Sequence, residues 1–246
     1  MNHEAAGWHG KLPTVSDFAS RRLDARFIEL WDSRLSDSIE KMRLQDEEGW
    51  VAIYLASPTW RFLISRGFLP PPFDASAWAG VLMPSVDRVG RYYPLTLVSP
   101  LIAMPTSLDS RKHLWSWLER LEDASVNALQ EDWQIDELEA ELFRIGLPSS
   151  QSDCVDSSAM EQLDEAVTPS FAAFFNFGLG GDSRSDSESS GSCVWYGQVD
   201  MEEPRVLQPK RFDEIFQELW TGCQRRLNID PPAVFQPVRN RLQPIT

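Results

Sequence analysis

The chain has 246 residues, of which 42% are hydrophobic, with ten Trp and thirteen Phe, enough apolar material for a sizeable core. Its mean hydropathy of −0.32 and the lack of any apolar run near eighteen residues argue against a membrane span. The formal net charge of −14 disfavours nucleic acid and anionic lipid as partners, and three scattered His with three Cys outside any CxxC spacing suggest neither a metal site nor a disulfide framework.

The N-terminal segment has His3, Glu4 and Trp8 where an export signal needs a basic start and an apolar stretch, so a cytoplasmic location is expected. A Pro- and Gly-bearing lead-in runs over 7–17. Asp24 then reads as the cap of a helix with Phe27, Leu30, Trp31, Leu35, Ile39 and Met42 on one stripe, closed at Gly49. Trp50–Leu55 is compatible with helix or strand. Trp60, Phe62 and Ile64 alternate as in a strand, and Pro70-Pro71-Pro72 marks a loop. The two apolar runs Ala77–Met83 and Tyr92–Val98 look like strands buried on both faces, so we expect an antiparallel meander at 60–65, 77–83 and 92–99. Thr106 and Asp109 suggest a capping box for a helix carrying Leu114, Trp117, Leu118, Leu121 and Ala128. Ile135, Leu138, Leu142 and Ile145 predict a further helix that stops at Gly146 and Pro148. Residues 149–168 read as loop, and Phe171–Phe177 as either helix or buried strand. The segment 178–192 reads as a flexible Ser-rich loop, 193–199 as a strand, Phe212–Leu227 as an amphipathic helix and 231–246 as an irregular tail. Strands without a polar face need covering on both sides. The fold expected is therefore α/β: a three-layer α/β/α sandwich with a mainly antiparallel or mixed central sheet, forming one domain over 1–246.

Charge is unevenly distributed: 14 acids and 2 bases fall within 119–165, whereas 13 of each share 1–118. The acidic stretch suits a basic partner surface, or serves solubility. The connector Pro84–Arg91 joins two buried strands and holds Asp87, Arg88 and Arg91. It reads in two ways, as a turn capped by Asp87 with Arg91 bonded to it, or as a ligand or partner site. Ser85, His9 and Asp87 make a Ser-His-Asp set only on paper, since no GxSxG elbow is present. Gly178-Leu-Gly-Gly-Asp lacks the Lys-Ser/Thr of a phosphate loop. The carboxylates at Glu131, Asp132, Asp136, Glu137, Glu139 and Glu141 read as a solvated helix face. Trp115 lies off its helix stripe and is a candidate for an exposed aromatic, or for packing beneath a loop.

The ordered series Gly7-Trp8-His9-Gly10-Lys11-Leu12-Pro13, Asp17-Phe18, Trp31-Asp32, Trp60-Arg61-Phe62 and Gly80 through Leu95 resembles the TagF (ImpM) family of type VI secretion-associated proteins. The likeness is specific over 7–98 and loose beyond, through Ser192-Cys-Val-Trp-Tyr and the helix over 212–220. His9 stands where the family usually has Tyr or Phe, and Ser16 where it has Gly. The resemblance implies a non-enzymatic cytoplasmic regulator without cofactor or metal. It is expected to repress assembly of the secretion apparatus after translation by sequestering a forkhead-associated scaffold protein, independently of or alongside threonine phosphorylation. Some members carry a fused phosphatase, for which this chain has no room. Contact candidates are Trp8, Lys11, Asp17, Arg61, Ser85, Asp87, Arg88, Arg91 and Trp115, with aromatic and Arg anchors supplying affinity and the acidic stretch speeding encounter. The rival reading is a hydrolase or phosphatase using the Ser85/Asp87/Arg91 loop. A third, a phosphopeptide reader, would use Arg88 and Arg91.

Overall fold

A computed structural model of the chain describes residues 4–148, 169–179, 191–198 and 204–221. The expected loop over 149–168, most of the expected Ser-rich loop, the expected continuation of the last helix to Leu227 and the tail 231–246 lie outside the described residues. Among the described residues the fold is mixed α/β, with six helices and one seven-stranded sheet that is antiparallel throughout. The strands are β1 (Gly7–Gly10), β2 (Ala19–Arg21), β3 (Trp60–Ile64), β4 (Ala77–Met83), β5 (Leu95–Leu101), β6 (Cys193–Gly197) and β7 (Arg205–Leu207). Their order is β2-β1-β5-β4-β3-β6-β7. The expected meander is its centre, with Gly80 opposite both Phe62 and Val98. Its third strand starts three residues later than periodicity suggests, because Tyr92 is drawn into a single bridge with Val86 that narrows the connector.

The helices are α1 (Ala25–Gln45), α2 (Trp50–Leu55), α3 (Leu108–Gln130), α4 (Ile135–Ile145), α5 (Pro169–Leu179) and α6 (Phe212–Thr221). Asp24 caps α1 as expected, its side chain accepting from the Arg26 N–H, but Gly49 belongs to the start of α2 rather than the end of α1. The cap of α3 is Ser107 with Ser110, one residue beyond the expected Thr106 and Asp109, because two short hydroxyl side chains close the box reciprocally. Gly146 ends α4 at φ 71°, a conformation that favours glycine.

Side chains alternate across β4, and the core divides accordingly. Ala77, Ala79, Val81 and Met83 join residues of α3, α4 and α5, whereas Trp78 and Leu82 join α1, α2 and α6. Burying each Leu or Phe contributes about 1.5–3 kcal/mol, so the two clusters supply the main favourable term of folding. Three strands escaped the sequence reading, β1 within the lead-in, β2 and β7, each only three or four residues long and too short to show a period. Within β1, Gly10 sits at φ 143° and a Cβ there would lie 2.2 Å from the Pro94 carbonyl oxygen, so glycine lets β1 close onto the entry to β5.

Candidate functional site

At one end of the sheet the lead-in following β1 meets the connector between β4 and β5. The connector is tied by its backbone: Asp87 N–H donates to the Arg91 carbonyl, Gly90 N–H to the Asp87 carbonyl, and Arg88 N–H to the Pro13 carbonyl of the lead-in. Gly90 takes φ 81° with open space around it, so conformation rather than room requires glycine. Asp87 Oδ1 accepts from the Val89 and Arg91 N–H groups, while Oδ2 accepts from Lys11 Nζ at 3.1 Å and Arg91 Nε at 2.6 Å. Desolvation pushes the Asp87 carboxyl up, but the Arg91 N–H, the Lys11 ammonium and the Arg91 guanidinium together outweigh it and hold the group at about 2. The capped-turn reading of the connector is thus what the structure contains, extended by Lys11.

Lys11 and Asp87 are both buried, and the Lys11 ammonium lies 4.5 Å from the Phe18 ring centroid. Ser85 is buried beside them; its hydroxyl donates to the Lys11 carbonyl, and its backbone exchanges hydrogen bonds with the Tyr54 hydroxyl. Burial pushes the Tyr54 phenol well above its usual range, so it stays neutral. These bonds leave neither Ser85 nor Asp87 engaged with His9, whose ring instead packs between Phe18 and Tyr93. The paper triad is not assembled, and the hydrolase reading lacks an accessible nucleophile in this loop.

The candidate residues therefore separate. Asp17, Arg88 and Arg91 are exposed. Arg91 also donates to the Ser16 carbonyl, and Arg88 pairs with Asp132 at 3.2 Å. Trp8, Lys11, Ser85, Asp87 and Trp115 are buried, which corrects their assignment as contact residues: each supports the fold from beneath. Trp8 donates from Nε1 to Glu139, which Arg22 also clasps. That corrects the reading of Glu139 as a solvated carboxylate, since an arginine and an indole bring it inward from the α4 face. Trp115 is 7% exposed, covered by Phe171, Phe174, Phe175 and Tyr196, with the Arg61 guanidinium 4.4 Å from its ring centroid. The undecided segment over 171–177 is helical and forms that cover. Arg61 itself is half-buried and pairs with Glu122 at 2.5 Å and Glu119 at 3.4 Å, so its charge is used internally. Desolvation nonetheless leaves the Glu122 carboxyl above its usual value.

Two exposed apolar residues were missed as candidates: Phe18 at 47% and Val89 at 75%. With Asp17, Arg88 and Arg91 they form a rim on the two interlocked loops. Phe18 carried a legible signal, an aromatic directly after the polar Ser16-Asp17 that ends the lead-in. Val89 carried none. Among the described residues no group of three or more His, Cys, Asp or Glu is placed to hold a metal, and no helix is long and apolar enough to cross a membrane.

Residues 7–145, from β1 through α4 and including both loops of the rim, match the model of the TagF N-terminal domain, type VI secretion system-associated. The chain belongs to this family. Among curated proteins none matches in sequence. The fold is similar to the crystal structure of PA0076 from Pseudomonas aeruginosa PAO1, with a TM-score of 0.61 at 23% identity over 95% of this chain and 100% of that one. At that identity the likeness speaks for the fold, whose second half continues past the matched family domain into α5, β6, β7 and α6.

Proposed function

We propose that this chain is a non-enzymatic cytoplasmic regulator of a type VI secretion system, one that works by occupancy. It represses assembly after translation by holding a forkhead-associated scaffold protein on the rim formed by Asp17, Phe18, Arg88, Val89 and Arg91. The observation that carries the reading is the Lys11–Asp87–Arg91 network, buried at Lys11 and Asp87, which pins two loops of the family-matched region together beneath exposed Phe18 and Val89. A surface fixed before binding loses less entropy on association, and an aromatic flanked by arginines is the usual composition of an interface anchor. We also read the molecule as a single α/β/α sandwich, a reading supported by the two core clusters that draw on alternate residues of the same strands.

The test is a pull-down of the tagged chain from cells that contain or lack the scaffold gene, followed by binding of the purified pair. Phe18→Ala together with Val89→Asp is expected to weaken the complex at least tenfold, a loss of about 1.4 kcal/mol, with the fold intact by circular dichroism. Unchanged affinity would move the contact surface elsewhere. Turnover of an ester or phosphoester that Ser85→Ala abolishes would replace the reading with the hydrolase one.

A further inference from the structure

Beneath Phe18, three buried polar atoms meet without a hydrogen-bond partner among the described residues: both ring nitrogens of His9 and the Tyr93 hydroxyl. The His9 and Tyr93 ring centroids are 5.9 Å apart, and Phe18 lies 6.0 Å from the first and 4.7 Å from the second. Buried orphans of this kind call for an explanation, because leaving a donor or acceptor unpaired is costly. The nearest charged group is Asp32 on α1, whose Oδ1 stands 3.8 Å from His9 Nε2, just outside hydrogen-bond reach, with its side chain 43% exposed. The same carboxylate acts on the Tyr93 hydroxyl.

We infer that His9, Asp32 and Tyr93 form a proton-sensitive latch under Phe18, in which a proton taken from solvent by His9 draws the imidazolium and Asp32 together and unseats Phe18. The groups facing His9 are few. Asp32 comes from α1, the Ala19 backbone from β2 and Tyr93 from the entry to β5, while Lys11 at the end of the lead-in strand lies over the Phe18 ring. The cross-strand neighbours Ser20 and Thr96 carry no charge. Burial lowers the His9 imidazole below its ordinary 6.5, and Asp32 and the Ala19 backbone recover only part of that shift. The neutral ring is therefore the resting form, stacked at 16° against Phe18. An imidazolium loses this seat, because a charge buried between the Phe18 and Tyr93 rings must be solvated or paired. Asp32, at 3.8 Å from His9 Nε2, is the carboxylate that stands beside it.

The sign follows from linkage. A histidine whose folded value lies below its unfolded one contributes stability above about 6.5 that is lost as pH falls through the folded value. The inference holds whatever the rim binds, and its test needs no partner. The full-length protein, with labelled histidine and aromatic rings, is titrated by NMR from about pH 8 to pH 5, a range centred on the ordinary histidine value. His9 is expected to titrate below 6.5, and the Phe18 and Tyr93 ring signals to move with the same midpoint. Asp32→Asn should lower that midpoint by about half a unit or more, and His9→Phe should abolish the movement of Phe18. A midpoint at or above 6.5, a Phe18 signal that ignores the titration, or an Asp32→Asn variant with an unchanged midpoint would each overturn the latch. If His9→Phe fails to fold, the titration of the unaltered protein still decides.

Discussion

Asp24 and Asp87 are both aspartates that cap a turn of backbone and bond an arginine a few residues further on, yet their surroundings differ. Asp24 opens α1 at the surface, where the Arg26 side chain and N–H lower its carboxyl while both groups remain in water. Asp87 is enclosed, with side-chain exposure of 2%, and its partner Lys11 is at 3%. The same local chemistry thus produces a helix cap in one place and a buried tie between two loops in the other. What separates them is burial, since an ion pair in water gives little net stability, whereas breaking a buried one leaves a charge that the protein cannot solvate.

The comparison is tested most severely by Asp87→Ala, which strands the Lys11 ammonium and frees the Val89 and Arg91 N–H groups at once. We expect a loss of about 3–5 kcal/mol in urea denaturation, together with loosening of the 84–91 connector seen as faster amide exchange. A loss under about 1 kcal/mol, the value of an exposed pair, would erase the distinction from Asp24. Next in size is Glu139→Ala, which removes the acceptor shared by Trp8 Nε1 and Arg22. Here the expected cost is about 1–3 kcal/mol, because Arg22 keeps its bonds to the Ala6 carbonyl and can reach water.

Acid sharpens the same contrast. The folded Asp87 carboxyl lies at about 2, below its ordinary 3.8, so it contributes stability that is complete above 3.8 and is lost as pH falls towards 2. Asp87→Asn should therefore flatten the acid limb of the melting temperature between those values, measured by thermal melts against the parent. An Asn variant whose acid limb matches the parent would show that the carboxylate contributes no proton linkage.

Local patterns carried most of the fold into the sequence. Of the three central strands, β4 and β5 were legible because they are buried on both faces and β3 because its apolar residues alternate, and α1, α3 and α4 because their apolar residues recur at helical spacing over many turns. What stayed hidden was set by tertiary neighbours. β2 is visible only as the partner of β1, and α5 is apolar on too many sides to show a period, since it fills the space above Trp115 and Tyr196. In the candidate site, Asp87, Lys11 and Arg91 were legible as residues, but not the direction in which they face. Motif residues of a loop read alike whether they point outward to a partner or inward to one another. Burial alone distinguished Arg88, which is exposed, from Asp87, its chain neighbour.

The smallest expected effects lie at Asp24, and they differ within the pair. The Asp24 side chain accepts from the Arg26 N–H at 2.8 Å, a backbone bond that completes the first turn of α1, and separately from the Arg26 guanidinium at 3.1–3.2 Å. Arg26→Ala removes only the second set and leaves the cap in place, so its melting temperature should match the parent. Asp24→Ala removes both, and the drop it causes is the contribution of the cap, because the guanidinium loses a partner it can replace with water. Thermal melts of the two variants side by side separate these contributions. If Arg26→Ala were as destabilising as Asp24→Ala, the exposed ion pair rather than the cap would hold the start of α1. The contrast with Asp87 would then rest on geometry and no longer on burial.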